Sequence, residues 1–255
     1  MGRAVLIIDT DPQANATIGL GIHPDSLQKH IYQYYMYQCS KSPVLLSDYI
    51  VKSISGIDIV PSHLDLIGAE AYLYKNPERY YILKQGIAPI KNRYDHILID
   101  TPPFLGQFLI NGMIAADYSV LVFSSDIFAL AGYDHMNLVM HDIQEVLGNE
   151  IRIGMALLNR WNNQDTKSLP FWEKIRHVCG LMPNEKQDTL YEIRTQLENR
   201  IRVEIPEVVI IPEGKEVAHS LKQGIPLATI APNDPAMVGF EKAAAIIDSW
   251  NTGRR

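Results

Sequence analysis

Three aspartates could do chemistry in this chain. Asp9 and Asp11, one residue apart, close the apolar run Val5-Leu-Ile-Ile, and Asp100 closes a second run, His96-Ile-Leu-Ile. A β-branched run ending in a carboxylate is how a buried parallel strand delivers an acid to its carboxyl edge, where open α/β sheets hold their ligands. A single buried strand-end aspartate can equally be a helix cap or the partner of a base. Three at neighbouring strand ends repel one another unless a cation or a set of hydrogen-bond donors sits among them. Mg2+ held with a polyphosphate meets that need, because Mg2+ takes few carboxylates and keeps several waters.

Positioning such groups needs alternating strands and helices. Apolar runs at Val5–Ile8, Ile57–Val60, His96–Ile99, Ser119–Phe123, Ile151–Leu158 and Val208–Ile211 read as strands, most of them too uniformly apolar for one-sided exposure. Met136, Met140, Ile143 and Leu147 fall on one helical face, and Met237, Phe240, Ala244, Ile247 and Trp250 make a similar stripe near the carboxyl end. The alternation predicts an α/β fold, a mainly parallel sheet covered by helices on both faces. No repeat, low-complexity tract or linker divides the 255 residues, so a single domain over 1–255 is expected. The aromatic cluster from His30 to Tyr37 reads as a helix or turn whose Tyr bodies cover the sheet edge. The polar stretch from Asn162 to Arg202 reads as surface helices.

The bulk composition excludes several classes. With 47% hydrophobic and 20% charged residues the chain is ordinary for a soluble globular protein. No apolar run approaches the roughly 18–20 residues that span a bilayer. Cys39 and Cys179 form no close-spaced motif, so two free thiols in a reducing cytoplasm are the expectation. The net charge of −6 argues against a protein that is basic all over.

The order Asp9-Thr-Asp11-Pro-Gln-Ala-Asn15-Ala-Thr17 resembles the segment that follows the first helix in the ParA/MinD family of partitioning ATPases, in its ParA branch. The resemblance continues along the chain. Tyr94-Asp-His-Ile-Leu-Ile-Asp100-Thr-Pro-Pro103 is similar to the family's second acidic strand, whose Pro-Pro pair forces an extended exit. Val60-Pro-Ser-His-Leu-Asp-Leu-Ile-Gly68 resembles the stretch after the third strand, Asn111 to Asp117 the helix after the second acidic strand, and Ala129-Leu-Ala-Gly132 the opening of the next helix. Leu157-Leu-Asn159-Arg160 is similar to a strand end whose Asn faces adenine. Ile211-Pro212, followed by Gly224-Ile-Pro226-Leu, resembles the Ile-Pro…Gly-x-Pro-Val signature. The chain departs from the family pattern at Phe104, often Ser, and at Glu213-Gly214, often Arg-Asn.

The family places a strand, a Lys-Gly-Gly-x-Gly-Lys-[Thr/Ser] phosphate loop and a helix ahead of the first acidic strand. No Gly-x-x-x-x-Gly-Lys-[Ser/Thr] occurs in this sequence, and Gly2-Arg3 resembles the interior of a relative. The first strand and the phosphate loop are therefore expected to be absent, through a truncated or late-assigned start or in a pseudoenzyme. The family's first strand would lie beside the Asp100 strand, and each buried group left unpaired there would cost roughly 1–3 kcal/mol.

What the resemblance implies is an ATPase, or the greater part of one, acting in partitioning or positioning of a plasmid, chromosome or other cargo. It implies ATP and Mg2+ as cofactors, with Asp9 and Asp100 at the metal, Asp11 acting on the attacking water, and Asn159 and Pro212 facing the adenine. It implies a homodimer that binds DNA without sequence preference, a ParB-like or other adaptor, a cytoplasmic and nucleoid-associated location, and no membrane. Residues 151–202 carry nine Lys/Arg against six Asp/Glu, and with Lys215 and Lys222 they are the expected DNA contacts. A catalytically inactive binding or scaffold module of the same fold is the alternative.

Overall fold

The computed structural model describes residues 2–42, 44–124, 129–160 and 196–251. Cys179, Arg254, Arg255 and most of the polar stretch after Asn162 lie outside them. The chain forms two compact units. One comprises 1–117, 215–232 and 248–255, and the other 118–214 and 233–247.

The first unit is built on a four-stranded sheet. Its strands are β1 (Val5–Asp9), β2 (Val51–Lys52), β3 (Asp58–Val60) and β4 (His96–Asp100), in the order β2-β3-β1-β4. β3, β1 and β4 are parallel, and the short β2 runs antiparallel to β3. β1 is central, so Leu6 and Ile8 are fully buried. β4 is an edge strand among the described residues, and its Leu98 is 42% exposed.

Around this sheet lie α1 (Asn15–Gly19), α2 (Ile31–Cys39), α3 (Leu66–Leu73), α4 (Ile82–Ile87) and α5 (Gln107–Ala115). The aromatic cluster is indeed a helix, α2, and it turns Ile31, Tyr34 and Tyr35 into the core with Leu66 and Leu73 of α3 and Phe108 of α5. Edge-on ring contacts join Tyr34 to Tyr49 and Tyr35 to Phe108, while Tyr34 Oη donates to the Ile82 carbonyl. Tyr37 is left 46% exposed. Asn111, fully buried on α5, satisfies its amide internally. Its Nδ2 donates to the carbonyls of Arg79 and Gln107, and its Oδ1 accepts the Leu83 N–H.

Later in the chain, α6 (Ala129–Leu147) and α7 (Val217–Gln223) precede α8 (Leu227–Ile230) and α9 (Pro235–Ser249). α7, in the first unit, ends at Gly224 in the left-handed conformation (φ 64°), packed so close to Gly21 that a Cβ there would sit 2.2 Å from the Gly21 Cα. Arg3 holds Asp248 with two nitrogens at 2.8 and 2.9 Å, and His96 Nε2 lies 3.1 Å from the same carboxylate.

The second unit carries a parallel sheet of β5 (Ser119–Ser124), β6 (Ile153–Asn159) and β7 (Val208–Ile211), in that order. Helix α6 buries Tyr133, Val139, Met140 and Ile143, in keeping with the predicted stripe. A helical stretch over 196–204 buries Leu197 and Ile201. The stripe expected on α9 differs. Ala236, Gly239 and Ala243 are the buried positions, while Phe240 is 39% exposed. The reason is backbone proximity. A Cβ on Gly239 would stand 2.6 Å from the Ile210 carbonyl oxygen, so α9 lies against β7 on its small-residue face, and its larger apolar residues turn away.

Candidate functional site

Parallel pairing in register sets the geometry of the first unit's acidic edge. Ile8 pairs with Ile99 and Asp9 with Asp100, so the two carboxyl-bearing residues are direct neighbours on β1 and β4. The strands are tied just beyond this point, where the Thr10 N–H and Oγ1 both donate to the Asp100 carbonyl at 2.8 and 2.7 Å. The chain after β1 then folds back on itself. The Asp11 carbonyl accepts the Ala14 N–H, Asp11 Oδ1 accepts the Gln13 N–H at 2.8 Å, and Ala14 is held at φ 54°. A left-handed alanine costs roughly 1–2 kcal/mol, which the surrounding bonds must hold in place.

That turn brings α1 over the end of β1. Asp9, with no solvent exposure, accepts three bonds: from Asp11 N to Oδ1 at 3.1 Å, and from Thr17 N and Thr17 Oγ1 to Oδ2 at 2.9 and 2.7 Å. Thr17 Oγ1 in turn accepts the Ser62 N–H at 3.0 Å, which links the loop after β3 to the same carboxylate. Burial raises the Asp9 pKa, these donors pull it back, and the charge of Asp11 adds to the rise. Asp11 is itself largely buried.

Asp100 is placed differently. The residue as a whole is exposed, but its carboxyl is pushed up from 3.8 to about 6, first by partial burial and then by the charges of Asp9 and Asp11. The three aspartates thus form one electrostatic group, as their spacing predicts. A bound cation would relieve it.

After Pro102-Pro103 the chain bends through residues 103–106 without forming a helix, and α5 does not begin until Gln107. Phe104 and Leu105 are 50% and 56% exposed. The end of this loop is fixed by Glu70 of α3, whose Oε1 accepts the Gln107 N–H at 3.1 Å. A Cβ on Gly106 would stand 2.5 Å from that oxygen, so a side chain there would displace the cap.

In the second unit, Asn159 and Ile211 are register partners at the carboxyl ends of β6 and β7, and Pro212 follows directly. Asn159 and Pro212 are both half-buried. The positions expected to face an adenine therefore adjoin one another at one strand edge. Sequence reading missed Thr17, Ser62 and Glu70 as supports of the acidic edge. Thr17 lies inside the Asp-x-Asp-Pro-Gln-x-Asn-x-Thr run, and its spacing of eight from Asp9 was the available signal.

Comparison with known proteins agrees with this geometry. Residues 1–153 match the family described as an AAA domain. The chain is 28% identical over 176 residues to the sporulation initiation inhibitor protein Soj of Bacillus subtilis, covering 69% of this chain and 68% of that protein. It is 31% identical over 182 residues to the chromosome partitioning protein ParA of Caulobacter vibrioides, covering 70% and 66%. In fold it is similar to the cobyrinic acid a,c-diamide synthase of Mycobacterium smegmatis solved with an ATP analog and magnesium, with a TM-score of 0.74 at 23% identity over 99% of this chain and 85% of that one. It is also similar in fold to the septum site-determining protein MinD of Pyrococcus horikoshii with Mg-ADP, with a TM-score of 0.65 at 21% identity over 100% and 87%. On its sequence match, its sheet topology and its acidic strand ends, the chain belongs to the ParA/MinD-type family of P-loop ATPases.

Proposed function

We propose that this chain is a ParA-like ATPase that acts in partitioning or positioning of a cargo, with residues 1–255 working as one ATPase domain. The observation that carries the reading is the in-register pair Asp9–Asp100 with Asp11 beside it, at the carboxyl edge of parallel strands. In phosphoryl transfer the protein mainly positions groups and neutralises charge. Asp11 would orient or activate the attacking water. Asn159 and the backbone at Pro212 would contact the base.

The residues present fit a hydrated Mg2+. The donors are hard carboxylate oxygens, the Asp100 carboxyl is raised by partial burial and then by its acidic neighbours, and Asp9 already accepts three protein bonds, so its contact with the ion would run through water. When bound, the ion would offset phosphate charge. The solved relatives with magnesium and ATP analog or ADP support the pairing of nucleotide and metal.

By family resemblance the ATP-bound protein would form a homodimer, bind DNA without sequence preference and meet a ParB-like or other adaptor, in the cytoplasm and on the nucleoid. Among the described residues no helix is long and apolar enough to cross a membrane. The alternative is an inactive binding or scaffold module of the same fold. Mg-ATP titration and phosphate release separate the two. They are measured on this chain and on the same chain preceded by a strand, phosphate loop and helix. Turnover that appears with the loop and is lost in Asp11→Ala supports the ATPase. Absence of both nucleotide binding and turnover in the loop-bearing form overturns it and leaves the scaffold.

A further inference from the structure

Helix α3 is apolar on both of its faces. Leu66, Ala69 and Leu73 are buried in the core of the first unit. On the other side Leu64, Ile67 and Tyr72 are each more than half exposed, and Gly68, Ala71 and Lys75 are exposed with them. A helix that is apolar all round is normally covered all round, and the described residues leave this side of α3 open. Gly68 adds a second sign. Glycine weakens a helix interior relative to alanine, and where it persists it usually marks the close approach of another backbone. Nothing lies within 4 Å of the position a Cβ on Gly68 would take, so the described chain supplies no such neighbour.

The pattern of this face says what fits it. Positions 64, 67, 68, 71, 72 and 75 alternate spacings of three and one, a single helical stripe. The stripe is also symmetric about the point between Ala69 and Glu70. Reversed end for end, Gly68 falls on Ala71, Ile67 on Tyr72 and Leu64 on Lys75. Two copies crossing antiparallel at that point would set small residues against small at the centre and a larger apolar residue on each side. The charges at the ends agree with the same arrangement. Asp65 stands exposed at the amino end of α3 and Lys75 exposed just past its carboxyl end. His63 Nδ1 accepts the Asp65 N–H at 3.1 Å, so that nitrogen has no proton to give the Asp65 carboxylate. The Lys75 Nζ lies 5.9 Å from the centre of the Tyr72 ring, which keeps its stem along the stripe. An antiparallel crossing brings Lys75 of each copy to Leu64 and Asp65 of the other, whereas a parallel one would oppose like charges.

We propose that the outer face of α3 is a self-association surface, on which a second copy of this chain packs antiparallel through Ile67, Gly68, Ala71 and Tyr72, with an Asp65–Lys75 pair at each end. The same patch serves both copies, so the contact closes as a two-fold dimer and goes no further. It needs no nucleotide, which separates it from the ATP-bound homodimer that the family resemblance implies. One eight-residue helix offers less than the roughly 800 Å2 per partner of a standard interface, so the association belongs to the weak, concentration-dependent class.

The test is sedimentation equilibrium of the 255-residue chain without nucleotide, over a concentration series at low and high salt. A reversible monomer–dimer equilibrium that salt weakens is expected. Gly68→Leu has open space within its own chain, so its circular dichroism should be unchanged while the wedge between helices weakens dimerisation roughly tenfold or more. Asp65→Lys and Lys75→Glu should each weaken self-association, because like charges then meet at both ends. Mixed together, these two variants restore both pairs and should form a heterodimer roughly tenfold tighter than either homodimer. A chain that stays monomeric at every concentration overturns the proposal and leaves α3 to a different protein. A dimer unmoved by Gly68→Leu, or a mixture with no preference for the heterodimer, places the contact elsewhere and overturns it as well. The measurement is made without ATP, so none of these outcomes bears on turnover.

Discussion

Asp9 and Thr17 are joined twice, since the amide and the hydroxyl of Thr17 both donate to Asp9 Oδ2, at 2.9 and 2.7 Å. The same hydroxyl accepts the Ser62 N–H at 3.0 Å, so one side chain links the end of β1, helix α1 and the loop after β3. The acidic edge therefore has a frame that keeps Asp9 oriented whether or not a ligand is present.

That frame gives the first prediction. Thr17→Val keeps the shape but removes a donor from a buried carboxylate and the acceptor of a buried N–H. A hydrogen bond to a charged group is worth about 1.5–3 kcal/mol, and an orphaned donor adds its own penalty, so a loss of roughly 3 kcal/mol is expected. Thr17→Ser should recover most of it. Urea unfolding of the three proteins measures both differences. Equal midpoints for Thr17→Val and the parent chain would show that the hydroxyl carries no such role.

Asp100 gives a pH dependence. Its folded pKa of about 6 lies above the ordinary 3.8, so between these values the folded state holds more protons than the unfolded chain. Stability must then fall as pH rises through the window from about 4 to 6, and the contribution is largest below it. Solvent at this exposed strand end screens the effect, leaving on the order of 1 kcal/mol. Asp100→Asn should flatten that part of the stability–pH curve and be the more stable protein at pH 7. Mg2+ should raise the stability of the parent at pH 7 more than that of the variant. Denaturation at a series of pH values checks the sign, and a parent that gains stability from pH 4 to 6 through this residue would contradict it.

Asp11 is expected to act in the transition state. In a loop-bearing form that turns over ATP, Asp11→Ala should lower kcat by roughly 10²–10⁴-fold, the usual contribution of a positioned acid or base. Mg-ATP affinity should stay within a few-fold, because the role is on attacking water rather than on bound nucleotide. Parallel affinity and turnover measurements decide it. An equal loss in both would place Asp11 on the nucleotide instead.

Two glycines make a paired test of packing. Gly239 faces the backbone of β7, where a Cβ would sit 2.6 Å from the Ile210 oxygen and 2.8 Å from the Ile211 Cα. Backbone cannot yield as a side-chain tip can, so Gly239→Ala should cost about 1–3 kcal/mol. Gly68, inside α3, has nothing within 4 Å of its would-be Cβ. There the alanine gains helix propensity and should stabilise by roughly 0.5–1 kcal/mol. Thermal unfolding of both variants should move in opposite directions.

β1, β4 and β6 were legible in the sequence because five- to seven-residue, largely apolar runs ending in Asp or Asn have few other uses in an α/β chain. The three carboxylates were legible for the same reason, since their register follows once β1 and β4 pair. What stayed hidden depended on pairings across long separations. The Thr17–Ser62 bond spans 45 residues and the Glu70 cap on Gln107 spans 37. The stripe on α9 was misread because hydrophobicity marks large residues, whereas close approach to β7 selects Ala236, Gly239 and Ala243. The two-residue strand β2 leaves no periodicity to find, and the stacking of the His30 ring on His63 needs the Ile31–Pro61 bond, which no local pattern signals.

The last prediction concerns DNA. The segment expected to bind it is less free than its charge count implies. Arg200 pairs with Asp134 at 2.8 Å and lies over the Tyr133 ring, Arg202 pairs with Glu198, and Arg152 pairs with Glu150. Such exposed pairs are weak, at roughly 0–1 kcal/mol, and can exchange an acid for a phosphate. Reversing Arg200, however, would set a new carboxylate beside Asp134 and disturb the packing of α6, confounding any fall in DNA affinity. Lys215 and Lys222 make no ion pair among the described residues, and both are exposed. Lys215→Glu and Lys222→Glu are therefore the cleaner probes. In the ATP-loaded, loop-bearing form, DNA affinity should fall with salt at a log–log slope of about −0.9 per phosphate neutralised. Each lysine reversal should weaken binding equally across unrelated sequences and flatten that slope by about one for every phosphate left without its lysine. Filter binding or anisotropy over a salt series measures it. An ATP-loaded protein with no DNA affinity even at low salt would take away the main support for partitioning and favour positioning of a cargo without DNA.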